Sequence, residues 1–183
     1  MLMKTNVKFE YIILSVLLLY YVSVPNPHMP SPPDDALQSK EPADTETTLR
    51  RSYFTNYSRE EVISHYRNEF KNITIFNMNM PVLKLNYPPE EAQTIIRDQT
   101  RSTYLEELVH PFRASFFING FEPKESKDAI FIEGRDWEQK ITVRYIPSNP
   151  FIRMILMGFS LFLLKTAVVE WKKDLRISSR KGK

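Results

Sequence analysis

The chain has 183 residues, a formal net charge of +3, thirteen prolines, four glycines and no cysteine. Without cysteine there are no disulfides, no thiolate catalysis and no Cys-based metal site, and so few glycines argue against phosphate-cradling loops. The charge is uneven: two basic residues against one acidic before residue 25, fifteen against nineteen from 25 to 150, and eight against two after 150. So acidic a middle speaks against nucleic acid as a partner, because such binding needs a dense cationic surface.

The first element is the apolar run Tyr11–Val24, preceded by Lys4 and Lys8. At 1.5 Å per residue it covers about 21 Å, so a span must also use residues 7–10 and let Lys8 reach outward. A cleaved signal peptide has the same layout, positive and then apolar. However, no A-x-A-like pair follows, and "VSVPNP" sets proline directly after the run. We read residues 1–24 as an uncleaved transmembrane anchor, with a cleaved signal as the alternative.

Residues 25–46 hold six prolines and little apolar content. Such a segment buries too little to fold by itself, and the expectation is a disordered, extended spacer. Residues 47–147 have ordinary globular composition. "RRSYF" reads as a short strand, and Ser58 with Glu61 forms an S-x-x-E capping box at a helix start. Val62, Ile63, Tyr66 and Phe70 fall on one face of that helix. "ITIFNMNMPVLKLNY" alternates and is interrupted by Pro81, which predicts two short strands or one broken edge strand.

The stretch from Pro88 to Phe121 predicts a second, longer helix. Pro88 and Pro89 suit its start, and Ala92, Ile95, Ile96, Tyr104, Leu105, Leu108 and Val109 make a buried stripe. Pro111 would kink it, and Gly120 before Phe121 would cap it. A hairpin follows, with strands near 129–133 and 138–146 and a turn around Gly134–Arg135. The expected class is α+β: two amphipathic helices, the second kinked at Pro111, against a small antiparallel sheet, flanked by two transmembrane helices.

The last apolar segment, 150–171, has about 31 Å of helix from Phe151 to Trp171, close to one hydrocarbon thickness. Eleven of those twenty-one residues are Leu, Ile, Val or Phe. Together they favour insertion by about 5 kcal/mol, against about 3 for a lysine held at the centre. Lys165 is nearer the end and can extend toward the headgroups. Arg153, Ser160, Lys165, Thr166 and Glu170 are scattered around the helix, so it lacks the flat polar face of an interfacial helix. We read it as a span rather than as a soluble core helix. The expected headgroup contacts are Lys165, Trp171, Lys172, Lys173, Arg176, Arg180, Lys181 and Lys183, the last six forming a basic cytoplasmic tail over 172–183.

Basic flanks at both spans predict plasma-membrane localisation with both termini cytoplasmic and the 47–147 domain extracytoplasmic. The succession of a short strand, "YSREEVISHYRNEF", "GFEP" and a hairpin resembles uncharacterised membrane-anchored bacterial proteins with a small extracytoplasmic α+β domain. That resemblance implies an architecture and no catalytic or binding residue.

Candidate chemistry is sparse. Glu61, His65 and Glu69 are spaced to share a helix face, and Glu107 with His110 has the E-x-x-H spacing of di-iron bundles. A di-iron site needs two such motifs and further carboxylates, so neither a metal nor a cofactor is expected. Asn56 and Asn72 stand in N-x-S/T sequons. The expected partners are the lipid bilayer and another membrane protein. The function expected is a non-enzymatic interaction or envelope-assembly module. The alternatives are an extracytoplasmic hydrolase or transferase whose carboxylates meet only in the fold, and an accessory subunit of a membrane complex.

Overall fold

The computed structural model describes residues 7–71, 74–75, 78–79 and 82–181. Lys4, Asn72, Pro81 and Lys183 lie outside them. In chain order the elements are α1 (Val7–Ser23), β1 (Leu37–Gln38), β2 (Arg50–Thr55), α2 (Arg59–Phe70), β3 (Thr74–Ile75), β4 (Met78–Asn79) and β5 (Leu83–Tyr87). Then come α3 (Ala92–Ile95), β6 (Tyr104–His110), β7 (Ala114–Phe121), β8 (Ile130–Ile132), β9 (Arg135–Trp137), β10 (Gln139–Pro147) and α4 (Pro150–Lys181). They form two compact units, Asn26–Pro147 and a second made of Met1–Pro25 with Ser148–Lys183.

The larger unit is α+β. Its centre is a six-stranded antiparallel sheet in the order β1-β2-β10-β7-β6-β5, so the last strand enters between the second and the seventh. One face is covered by α2, which begins as the sequence predicts. Ser58 accepts from the Glu61 N–H while the Glu61 side chain accepts from the Ser58 N–H, a cap worth about 1 kcal/mol. Val62, Ile63, Tyr66 and Phe70 are all buried. Tyr66 and Phe70 stack against Phe116, with ring centroids 4.9 and 5.9 Å apart, in a core that also takes in Leu108, Ile118, Ile141 and Val143. A smaller cluster of Ala92, Ile96, Leu105 and Phe117 occupies the opposite face, under α3. β5 is the outer strand next to β6, in keeping with an edge strand after the proline break.

The expected long helix from 88 to 121 does not exist. Helix is confined to Pro89–Ile95, and Arg97 and Asp98 then take positive φ values of 43° and 58°, which end it. Residues 104–121 form the β6–β7 hairpin, with Tyr104 opposite Gly120 and His110 opposite Ala114. The reason is double-sided burial. β6 lies inside the sheet with both faces covered, so five consecutive residues from Tyr104 are buried and the alternation that marks a strand disappears. Pro111 kinks nothing. It starts the turn between the two strands, closed by Arg113 N–H donating to the His110 carbonyl at 3.0 Å, with Phe112 at φ 60°. Gly120 is a strand residue and not a helix cap.

Two further expectations change. The predicted 129–146 hairpin is smaller: β8 pairs with β9 through the Glu133–Gly134 turn, both residues at positive φ as a two-residue hairpin requires, while β10 joins the main sheet. The segment 25–46 is not a free spacer. From Asn26 it belongs to the larger unit, with Met29 and Ala36 against the core, β1 paired to β2, and Asp44 buried. The Ser31 carbonyl meets His65 Nε2 at 2.9 Å, Asp35 accepts from Thr55 and from the Asn56 N–H, and Tyr145 donates to the Pro27 carbonyl. Proline helps here, because a stiff chain loses little entropy when laid along a surface.

Candidate functional site

In the smaller unit, α1 and α4 run antiparallel. The Tyr11 hydroxyl donates to the Leu161 carbonyl at 2.6 Å, and Arg153 Nη2 donates to the Val24 carbonyl at 3.0 Å. The buried Arg153 therefore sits at the C-terminal end of α1, where free carbonyls and the helix dipole favour a cation. This explains an arginine at the mouth of an apolar helix. α4 from Pro150 to Lys173 is long and apolar enough to cross a membrane, whereas the apolar helix Phe9–Ser23 is shorter.

All the predicted headgroup residues that are described lie on α4, so the basic stretch continues the same helix. Lys165, Trp171 and Lys172 are exposed, and Lys173, also exposed, pairs with Glu170 at 2.6 Å. Arg176, Arg180 and Lys181 stand in its last turns.

The candidate metal spacings are not brought together. Glu61 is committed to the Ser58 cap, and His65 to the Ser31 carbonyl. Glu107 and His110 lie on a strand, where three positions apart means opposite faces. Glu107 accepts from the Tyr87 hydroxyl at 2.5 Å, while His110 stacks on Phe70 beneath α2 and its Nε2 meets the Phe70 carbonyl. Burial, partly offset by that carbonyl contact, holds the His110 pKa below its ordinary value.

Sequence reasoning missed a polar layer on the sheet face away from α2. Asp44, 2 % exposed, accepts from Ser39 at 2.6 Å and from Ser52 at 2.8 Å, and pairs with Lys140 at 2.7 Å. Ser52 meets Thr142, Thr142 donates to Gln99, and Asn119 bridges Gln99 and Ser102. Burial acts to raise the Asp44 pKa, but hydrogen bonds from Lys140, Ser39 and Ser52 outweigh it and hold the carboxyl below its usual value. For Lys140, burial lowers the pKa, and bonds to Asp44 and Glu41 more than restore it. Asp44 and Lys140 thus match each other, which suits a positioning role rather than proton transfer. The alternation of polar and apolar residues in "QKITVRYI" was the available signal.

On the α2 side, the fully buried Glu106 pairs with Arg59, whose guanidinium also lies 4.9 Å over the Tyr104 ring, and Lys84 stands 3.8 Å away. Glu106 and Glu107, adjacent on β6, face opposite sides of the sheet and form no acid/base pair. A cleft of about 480 Å³ is bordered by Glu122, Glu125 and Glu138. Among the described residues, no group of three or more His, Asp or Glu is placed to hold a metal.

Compared with protein-family models, curated proteins and solved structures, the chain matches none of them.

Proposed function

We propose that the chain is a membrane-tethered, non-enzymatic interaction module, with its α+β unit outside the membrane and both termini in the cytoplasm. The observation that carries this reading is the antiparallel pairing of α1 and α4 through Arg153–Val24 and Tyr11–Leu161. Pairing of this kind puts the start of α1, with Lys8, and the last turns of α4, with Lys172, Lys173, Arg176, Arg180 and Lys181, at one end of the hairpin. Basic residues are retained on the cytoplasmic side. Lys165 extends its stem toward the same headgroups as Trp171. Two buried carboxylates of the α+β unit support the reading too, since Asp44 and Glu106 serve the fold's own ion pairs with Lys140 and Arg59.

The test is topological. Reporters fused before α1 and after Lys183 both report cytoplasm, and protease added outside cleaves only the 26–147 unit. A C-terminal reporter found outside overturns the two-span reading. A second reading, an accessory subunit of a membrane complex, is favoured by Gly158, where an added Cβ would meet nothing within 4 Å on a membrane-length helix. Native purification that recovers one stoichiometric membrane partner would select it.

A further inference from the structure

β2 and β10 place two arginines directly opposite each other, Arg50 against Arg144. Like charges at such cross-strand positions repel, and a sheet keeps them only where something offsets the repulsion. Arg50 is almost wholly buried: its side chain is 5 % exposed. Its Nη2 donates to the Arg97 carbonyl at 3.0 Å, but among the described residues its Nε and Nη1 have no hydrogen-bond acceptor. The nearest carboxylate, Glu46, stands 3.5 Å from Nη1, too far for a good hydrogen bond, and is drawn instead to Arg97 at 2.9 Å. Arg144 is held by the Ile95 carbonyl.

These groups share one cleft of about 480 Å³, with Arg50, Arg97 and Arg144 on its walls beside the apolar Leu49, Ile96 and Ile146. Three guanidinium groups meet one carboxylate on these walls, Glu46, and Asp98 adds a second only through Arg97, 3.5 Å from its Nε. The backbone is shaped to the purpose. The carbonyls of Ile95 and Arg97 aim two guanidinium groups, and Arg97 and Asp98 hold left-handed φ values that cost energy in residues with side chains. A buried guanidinium with two unused N–H directions, aimed by fixed carbonyls and short of negative charge, is built to take an oxyanion in a bidentate grip.

We propose that this cleft binds a phosphate-bearing ligand, with Arg50 and Arg144 gripping the oxyanion, Arg97 at the rim, and Glu46 as an internal competitor that swings aside. Leu49, Ile96 and Ile146 provide room for an apolar substituent next to the phosphate. Because the same chain carries a helix long enough to cross a membrane, the phosphate has two sources, a lipid headgroup or a soluble phosphate ester. The site is independent of the topology proposed above.

The experiment uses the full chain in a phosphate-free detergent and measures binding of inorganic phosphate by calorimetry, with chloride at equal ionic strength as the control. Wild type binds phosphate in preference to chloride. Arg144→Gln weakens binding about tenfold or more, the loss of one charge-assisted pair. Glu46→Gln tightens it several-fold by removing the competitor. Glu46 is partly exposed, so this variant keeps the test valid even if Arg144→Gln does not fold. Short-chain phosphatidic acid and glycerol phosphate then separate the sources. Tighter binding of the lipid assigns a headgroup, and equal binding assigns a soluble ester. If phosphate binds no better than chloride to both wild type and Glu46→Gln, or if Arg144→Gln binds as well as wild type, the proposal is overturned.

Discussion

The Tyr104 ring lies across Gly120 on the neighbouring strand, so closely that an added Cβ at Gly120 would sit 2.0 Å from the ring. The glycine is needed for space, and the ring covers the backbone that the missing side chain exposes. From there the Tyr104 hydroxyl donates to Gln139 Oε1 at 2.7 Å, and Gln139 in turn donates to the Tyr57 carbonyl. The strand pair is thereby joined to the start of α2.

Gly120→Ala should therefore displace Tyr104 and break that chain of bonds. The expected loss is about 1–3 kcal/mol, the usual cost of overpacking, read from denaturant unfolding. The β-propensity of alanine over glycine acts the other way and is smaller. A variant as stable as wild type would show that the ring moves freely and that the contact is not needed.

A fragment of residues 26–147 should unfold cooperatively on heating, because that unit has its own core. Starting instead at residue 47 removes Met29, Ala36, β1, the Asp44–Lys140 pair and the Pro27 acceptor of Tyr145. The shorter fragment should lose about 2 kcal/mol or more, roughly 10 °C in Tm. Equal melting temperatures would mean that residues 26–46 contribute nothing to stability.

The Asp44–Lys140 pair sets two pH limits. Asp44 has a lowered pKa in the folded chain, so the unfolded chain binds its proton first on acidification. Its contribution is complete above about pH 4 and is lost as pH falls through the folded value. Lys140 has a raised pKa, so its contribution is complete below about pH 10 and is lost as pH rises through the folded value. Urea midpoints measured across pH should decline at both ends, and Asp44→Asn should flatten the acid decline. An acid decline of unchanged slope in that variant would assign the effect to other groups, such as His110, whose lowered pKa acts from about pH 6.5 downward.

On α4, Gly158 has open space around it, so Gly158→Lys introduces a charge without a steric clash inside the chain. Membrane insertion should weaken by about 3 kcal/mol, the cost of a lysine near the midplane. Lys165→Leu, at an exposed position, should leave topology intact and resist alkaline extraction better than wild type. If neither substitution alters extraction from membranes, α4 is not held by lipid.

The α+β class, the capped helix α2 with its four buried residues, and a membrane-length helix at the end of the chain were all legible in the sequence. Each is a local pattern: a capping box with 3.6-residue spacing, or a predominantly apolar stretch about one hydrocarbon thickness long. The hairpin from Tyr104 to Phe121 was not legible, since β6 buries Glu106 and Glu107 along with its apolar residues, which leaves Tyr104, Leu105, Leu108 and Val109 at helical spacing. Nor was the fold of residues 26–46, which have little apolar content of their own and are ordered by contacts with β2, α2 and β10 that are distant in sequence. The arginine cleft depends on the same kind of event. Arg50 and Arg144 are ninety-four positions apart, and only the insertion of β10 beside β2 makes them neighbours. Periodicity decides which residues seek burial. Strand order decides which of them meet, because it is set by the packing of the whole sheet.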